Sequence, residues 1–292
     1  MDKVPARQSK RWSVANIIGS VSTSHVPAIG GAIFRHLQQD AYWKPFFDGY
    51  PPVQQWLARE QPDVVVVVYN DHGLNFFLDK MPTFAIGAAP SYTSADEGWG
   101  IPTIQPVAGD QDLSWTIIDH VIPAGFDFTT CQEMLIDHAV TIPLQLLWPD
   151  RVAPVKIVPI SINTVQYPLP SAQRCLALGR AIGQAIKEYP SDQKVLVLST
   201  GGLSHQLDGE RAGFINPEFD RLCLDSIVNN VETLTCYSSS ELVELSGTQG
   251  VEILNWIVGR GILGGQAHET HRNYYIPISN TASALQVLEP LT

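Results

Sequence analysis

Val64-Val65-Val66-Val67-Val68-Tyr69-Asn70-Asp71-His72 is a run of β-branched residues that stops on polar side chains and a histidine. Side chains alternate between the two faces of a strand, and here neither face offers anything to water. The segment therefore reads as a strand buried on both sides, at the centre of an α/β sheet. His72 falls just past its carboxyl end, the edge at which open α/β sheets bind ligands. A single histidine in that place reads more readily as a turn residue, because fold alone does not give function. A site requires other chemically capable side chains at the same edge.

A chain of 292 residues, 45% hydrophobic and 16% charged, suits one large α/β domain. We expect a flexible tail over 1–14 and a single domain over 15–292. A net charge of −11 argues against nucleic acid as a partner. Cys131, Cys175, Cys223 and Cys236 have neither zinc-ribbon spacing nor the density of a disulfide framework. The polar start lacks an apolar signal core, and no apolar run is long enough to span a bilayer. A soluble, cytoplasmic protein is expected.

Outward from the valine run, Ala15–Val21 reads as a first strand entering a loop at Ser22–Pro27 that carries His25. Lys194–Ser199 is another buried-type strand, and Thr200-Gly201-Gly202-Leu203-Ser204-His205 follows it. Strands are also expected at 84–87, 126–130, 155–162 and 274–278, and helices at 112–121, 171–189, 217–231, 240–247 and 250–258. A helix begins at Pro51-Pro52. Residues 88–109 read as a long loop, and Asp137-His138 precedes a short apolar turn at 142–147. His36 and His120 fall in helices as packing residues, and His268 and His271 in a polar loop. The alternation of strands and helices predicts a three-layer α/β/α domain around a central mixed sheet.

Glu252 raises the stakes. A carboxylate on an otherwise apolar helix is costly to bury unless it is paired, hydrogen-bonded or bound to metal, although a helix start also welcomes it. With His25 and His72 it completes two imidazoles and one carboxylate, the ligand set of non-haem Fe(II) oxygenases. The same types also serve zinc hydrolases, so ligand identity leaves the metal open.

The stretches Thr23-Ser24-His25-Val26-Pro27-Ala28, Val68-Tyr69-Asn70-Asp71-His72, Ala95-Asp96-Glu97-Gly98-Trp99-Gly100, Gly201-Gly202-Leu203-Ser204-His205-Gln206-Leu207 and Gly250-Val251-Glu252 occur in this order. Together they resemble the class III extradiol ring-cleaving dioxygenases, most closely the β, catalytic, subunit of the protocatechuate 4,5-dioxygenases. The resemblance runs from about Ile18 to Ala284. It implies Fe(II) held by His25, His72 and Glu252, with His205 as the acid/base group. It places His138 beside the substrate and Ser279-Asn280 at the substrate carboxylate.

It further implies cleavage of a carboxylated catechol by O2, with protocatechuate as the leading substrate and gallate or 3-O-methylgallate as alternatives. The chain stops at Thr292, without the C-terminal extension of gallate-type relatives. The resemblance therefore implies a separate small α subunit covering the site, in an α2β2 assembly. A zinc-dependent hydrolase and a non-catalytic binding protein on the same fold are the readings from other classes.

Overall fold

The computed structural model describes residues 13–149 and 155–291. The predicted tail therefore lies, up to residue 12, outside the described residues. In chain order the strands are β1 (Asn16–Thr23), β2 (Val64–Tyr69), β3 (Phe84–Gly87), β4 (Ser91–Ser94), β5 (Val107–Ala108), β6 (Thr129–Cys131), β7 (Leu135–Ile136), β8 (Lys156–Ile162), β9 (Lys194–Thr200), β10 (Ala267–Ile278) and β11 (Thr281–Pro290). The helices are α1 (Pro27–Phe34), α2 (Lys44–Phe47), α3 (Tyr50–Glu60), α4 (Gln111–Val121), α5 (His138–Leu147), α6 (Ala172–Glu188), α7 (Pro217–Asn229), α8 (Ser239–Ser246) and α9 (Ile253–Leu263).

The main sheet runs β10-β11-β1-β9-β2-β8-β3-β6. Its centre, β1-β9-β2-β8, is parallel, while β11 and β3 join it antiparallel, so the sheet is mixed as expected. All six residues of β2 are buried. Val64, Val66 and Val68 enter one core with α4, α6, α7 and α9, and Val65, Val67 and Tyr69 enter the other with α1, α3 and α5. This two-sided burial produces the three layers.

Parallel pairing carries the chemistry to one edge. Thr23 stands opposite Thr200 and Val68 opposite Ser199, so β1, β9 and β2 end side by side. The segments bearing His25, His205 and His72 leave the sheet together. Over that edge lies α9, held close by small residues. A β-carbon on Gly259 would meet Ser199 Oγ at 1.8 Å, and one on Gly179 of α6 would meet Val258 O at 2.2 Å. No larger side chain fits without pushing α9 off the sheet at the first contact or off α6 at the second.

Several local readings need correction. Residues 88–109 hold β4 and β5, which form a small second sheet with β7. The presumed turn at 142–147 belongs to α5, with Asp137 as its N-cap accepting from Ala139 N. His36 lies just beyond α1 with φ 57°. His268 and His271 lie in β10, paired with β11, rather than in a loop. The strand placed at 126–130 is the shorter β6, and α1 and β11 were not foreseen.

Candidate metal centre and active site

His25 follows β1 by two residues and is 4% exposed. Its Nδ1 lies 3.0 Å from Thr200 Oγ1 at the end of neighbouring β9. That leaves Nε2, which lies 3.4 Å from Glu252 Oε1. His72 leaves β2 through a turn organised by Asp71, whose carboxylate accepts from the backbone N–H groups of Gly73, Leu74, Asn75 and Phe76. Asp137 Oδ2 then accepts from both His72 N, at 2.9 Å, and His72 Nδ1, at 3.0 Å. His72 Nε2 is thereby turned toward Glu252 Oε1, 3.7 Å away.

Glu252 sits in a short 3-10 turn, Gly250–Glu252, that leads into α9. Its Oε1 accepts from Asn70 Nδ2 at 3.0 Å and its Oε2 from Gly202 N at 2.7 Å. Asn255, one turn along α9, donates to Asn70 Oδ1 and Thr200 O. The carboxylate is therefore tied to β2, to β9 and to its own helix.

His205 Nδ1 donates to Leu203 O at 2.9 Å, and its Nε2 lies 3.9 Å from Glu252 Oε2. His138, the first residue of α5, pairs its Nδ1 with Glu97 Oε1 at 2.7 Å, and Glu97 Oε2 accepts from its backbone N–H. Trp99 packs over the His138 ring at 4.9 Å.

Two imidazoles and one carboxylate thus meet with their remaining polar atoms engaged behind them, the outer-shell support that metal-binding histidines require. The donor set fits Fe(II). One ring nitrogen from each of His25, His72 and His138 also lies within 4.8 Å of the others, so His138 reaches the same space.

The charges favour a cation. Burial works to lower the His72 pKa, but the carboxylates of Asp137 and Glu252 outweigh it and raise it to about 10. Burial works to raise Glu252, and the neighbouring His25, His72 and His205 hold it well below the usual carboxylate range. Asp137 is likewise lowered, its burial being outweighed chiefly by His72. His138 is lowered by burial and by the charge on His72.

These groups open into a cavity of about 550 Å³. Its outer wall carries exposed apolar side chains, among them Phe77, Leu78, Val165, Tyr167 and Leu207. Among the described residues lining it, none is Lys or Arg. Thr281 lines the cavity, whereas Ser279 and Asn280 form the exposed turn between β10 and β11 and do not line it. Ser279 N donates to Tyr42 OH instead. The structure gathers His25, His72, His138, His205 and Glu252 and leaves Ser279 and Asn280 on the exposed turn between β10 and β11. Asn70, Glu97, Asp137 and Asn255 were not singled out from sequence. The available hints were that Asn70 and Glu97 fall within the quoted family-like stretches and that Asp137 directly precedes His138.

Residues 19–285 match the family described as the catalytic LigB subunit of aromatic ring-opening dioxygenase. The chain belongs to the LigB family. A gallate dioxygenase of Pseudomonas putida is 40% identical over 196 residues, covering 67% of this chain and 57% of that protein. A 2,3-dihydroxyphenylpropionate/2,3-dihydroxicinnamic acid 1,2-dioxygenase of Photorhabdus laumondii is 31% identical over 210 residues, covering 68% and 60%. The chain thus spans less than two thirds of the length of these two relatives. An enzyme of the latter name from Rhodococcus globerulus is 26% identical, covering 90% of this chain and 95% of that protein.

The LigB-family fold is shared with a solved structure, an uncharacterized protein of Escherichia coli K12. The TM-score is 0.57 at 14% identity, covering 92% of this chain and 99% of that one. Among the described residues no helix is long and apolar enough to cross a membrane.

Proposed function

We propose that this chain is the catalytic subunit of an Fe(II)-dependent extradiol dioxygenase that opens the ring of a carboxylated catechol. The observation that carries this reading is the approach of His25 Nε2 and His72 Nε2 to one oxygen of Glu252, at 3.4 and 3.7 Å, with His205 beside them. Among substrates, gallate is favoured over protocatechuate by the 40% identity to a gallate dioxygenase. The two differ by one ring hydroxyl. The motif likeness to the protocatechuate enzymes keeps protocatechuate as the second substrate to test.

His25, His72 and Glu252 would hold the iron, which would supply adjacent positions for the ring diol and dioxygen and a path for electrons between them. The chain's own groups do the rest. With Nδ1 donating to Leu203 O, the His205 ring turns Nε2 to the site as the group that takes the proton of a ring hydroxyl. His138, held by Glu97, donates to or accepts from an oxygen at the same space. The apolar wall excludes water from the opening ring.

The exposed apolar side chains around the cavity support a covering α-type partner that closes it. The four free cysteines suit a reducing cytoplasm.

The test is oxygen uptake by anaerobically iron-loaded protein with gallate, protocatechuate and 3-O-methylgallate, with and without a co-expressed α-type partner. Uptake with a ring-opened product, fastest on gallate, is expected. No uptake with any diol in the reconstituted iron form rejects the reading.

A further inference from the structure

Asp220, on α7, is 1% exposed and touches neither the cavity nor the metal-ligand cluster. Its Oδ1 accepts from Ser204 N at 2.7 Å, and its Oδ2 accepts from Ser204 Oγ and Tyr274 OH, each at 2.7 Å. These partners are neutral, an expensive arrangement for a buried carboxylate and one that calls for a purpose beyond packing.

The purpose lies in the peptide unit it holds. Ser204 N–H and Leu203 C=O are the two ends of one planar amide. Asp220 grips the N–H end, and the C=O end accepts from His205 Nδ1 at 2.9 Å. We infer that Asp220 is a positioning residue for His205, acting through the Leu203–Ser204 peptide to fix the imidazole with Nδ1 protonated and Nε2 turned to the site. The inference rests on the role of His205 given above.

Three features support it. A carbonyl only accepts, so the bond to Leu203 O requires the proton on Nδ1 and leaves the Nε2 lone pair for proton transfer. Hydrogen bonds in series polarise one another, so a carboxylate at the N–H end strengthens the carbonyl at the other. Rotation of this peptide would break both bonds at once, which makes its orientation the hinge on which the ring depends. The flanking backbone is pinned separately, by Leu203 N to Ala282 O, Ala282 N to Ser204 O and His205 N to Ser246 O. Removing Asp220 therefore frees the peptide plane while the loop stays in place.

The test compares Asp220→Ala and Asp220→Asn with wild type. One readout is imidazole 15N–1H NMR of the metal-free protein, with the His205 signals assigned by His205→Gln. The other is kcat and KM of the iron-loaded enzyme, normalised to bound iron. In wild type His205 is the Nδ1–H tautomer. In Asp220→Ala the tautomer becomes mixed and kcat falls about tenfold to hundredfold with KM and iron content held. Asp220→Asn, whose neutral oxygen still accepts from Ser204 N–H, falls between the two. That variant decides the matter if the alanine variant does not fold.

A wild-type tautomer and wild-type kcat in the folded variants would overturn the inference. So would a loss of kcat with the tautomer unchanged. Because the tautomer is read without iron or substrate, it decides the positioning claim even if no diol is turned over.

Discussion

Replacing Asp137 with alanine should separate the support of one imidazole from the support of one helix. The side chain makes three hydrogen bonds: Oδ2 accepts from His72 N and Nδ1 at 2.9 and 3.0 Å, and Oδ1 accepts from Ala139 N at 3.0 Å. Loss of the N-cap alone costs about 1 kcal/mol of stability. The bonds to His72 orient Nε2 toward Glu252, and removing an outer-shell partner of this kind typically weakens metal binding about tenfold to hundredfold, or about 1.4 to 2.7 kcal/mol. Asp137→Asn is the control. Its single oxygen can serve His72 or Ala139 but not both, and as a neutral acceptor it bonds about half as strongly. The asparagine variant should therefore lie between wild type and alanine. Anaerobic calorimetric titration with Fe(II), beside thermal unfolding of the metal-free proteins, measures the two effects. Fe(II) affinity within twofold of wild type in a folded Asp137→Ala protein would refute the outer-shell role.

Val66→Ala and Val67→Ala remove buried methyl groups from opposite faces of the sheet. Each should cost about 2 to 3 kcal/mol in urea unfolding, and a cost under about 1 kcal/mol for either would contradict two-sided burial. Gly179→Ala would place a β-carbon 2.2 Å from Val258 O. It should destabilise by about 1 to 3 kcal/mol or more and also weaken Fe(II) binding, since Glu252 immediately precedes α9; unchanged iron affinity would uncouple the helix contact from the site.

The His72 pKa, raised from 6.5 to about 10, sets a pH dependence for the metal-free protein. Its ion-pair stabilisation is fully present below the unfolded value of 6.5 and is lost as pH rises through 10. Thermal stability should fall over that window in wild type and fall less in Asp137→Ala; parallel pH profiles would count against the pairing.

The central sheet was legible because β2 and β9 are apolar on both faces, a pattern that a solvent-facing strand cannot carry. His25, His72 and His205 were legible as polar breaks after such strands, and Glu252 as a charge in an apolar helix. Of the β10–β11 hairpin only the end of β10, at 274–278, was. The β10 sequence Ala267–Ile278 is rich in charged and polar residues and partly exposed, and its partner β11 contains small residues that show no strong strand signal. In α5, Pro143 reads as a helix stop, yet the cap from Asp137 and burial of nearly every side chain outweigh the lost backbone bond. Ser279 and Asn280 were placed at the substrate carboxylate by likeness to a family; they form the exposed turn between β10 and β11, and their neighbour Thr281 lines the cavity.

The edge-on meeting of β1, β9 and β2 also has a temporal consequence. Asn70 and Glu252, whose side chains bond in the finished site, are 182 residues apart in the chain. Contacts of such separation form late, because a long loop must close before they contribute anything. A nascent or partly folded chain accordingly offers isolated histidines rather than a chelating set, and on the proposed function iron capture would wait for the sheet and α9 to come together. Iron retention would then report on completed folding, and a metal that binds only that state would lock it in by mass action.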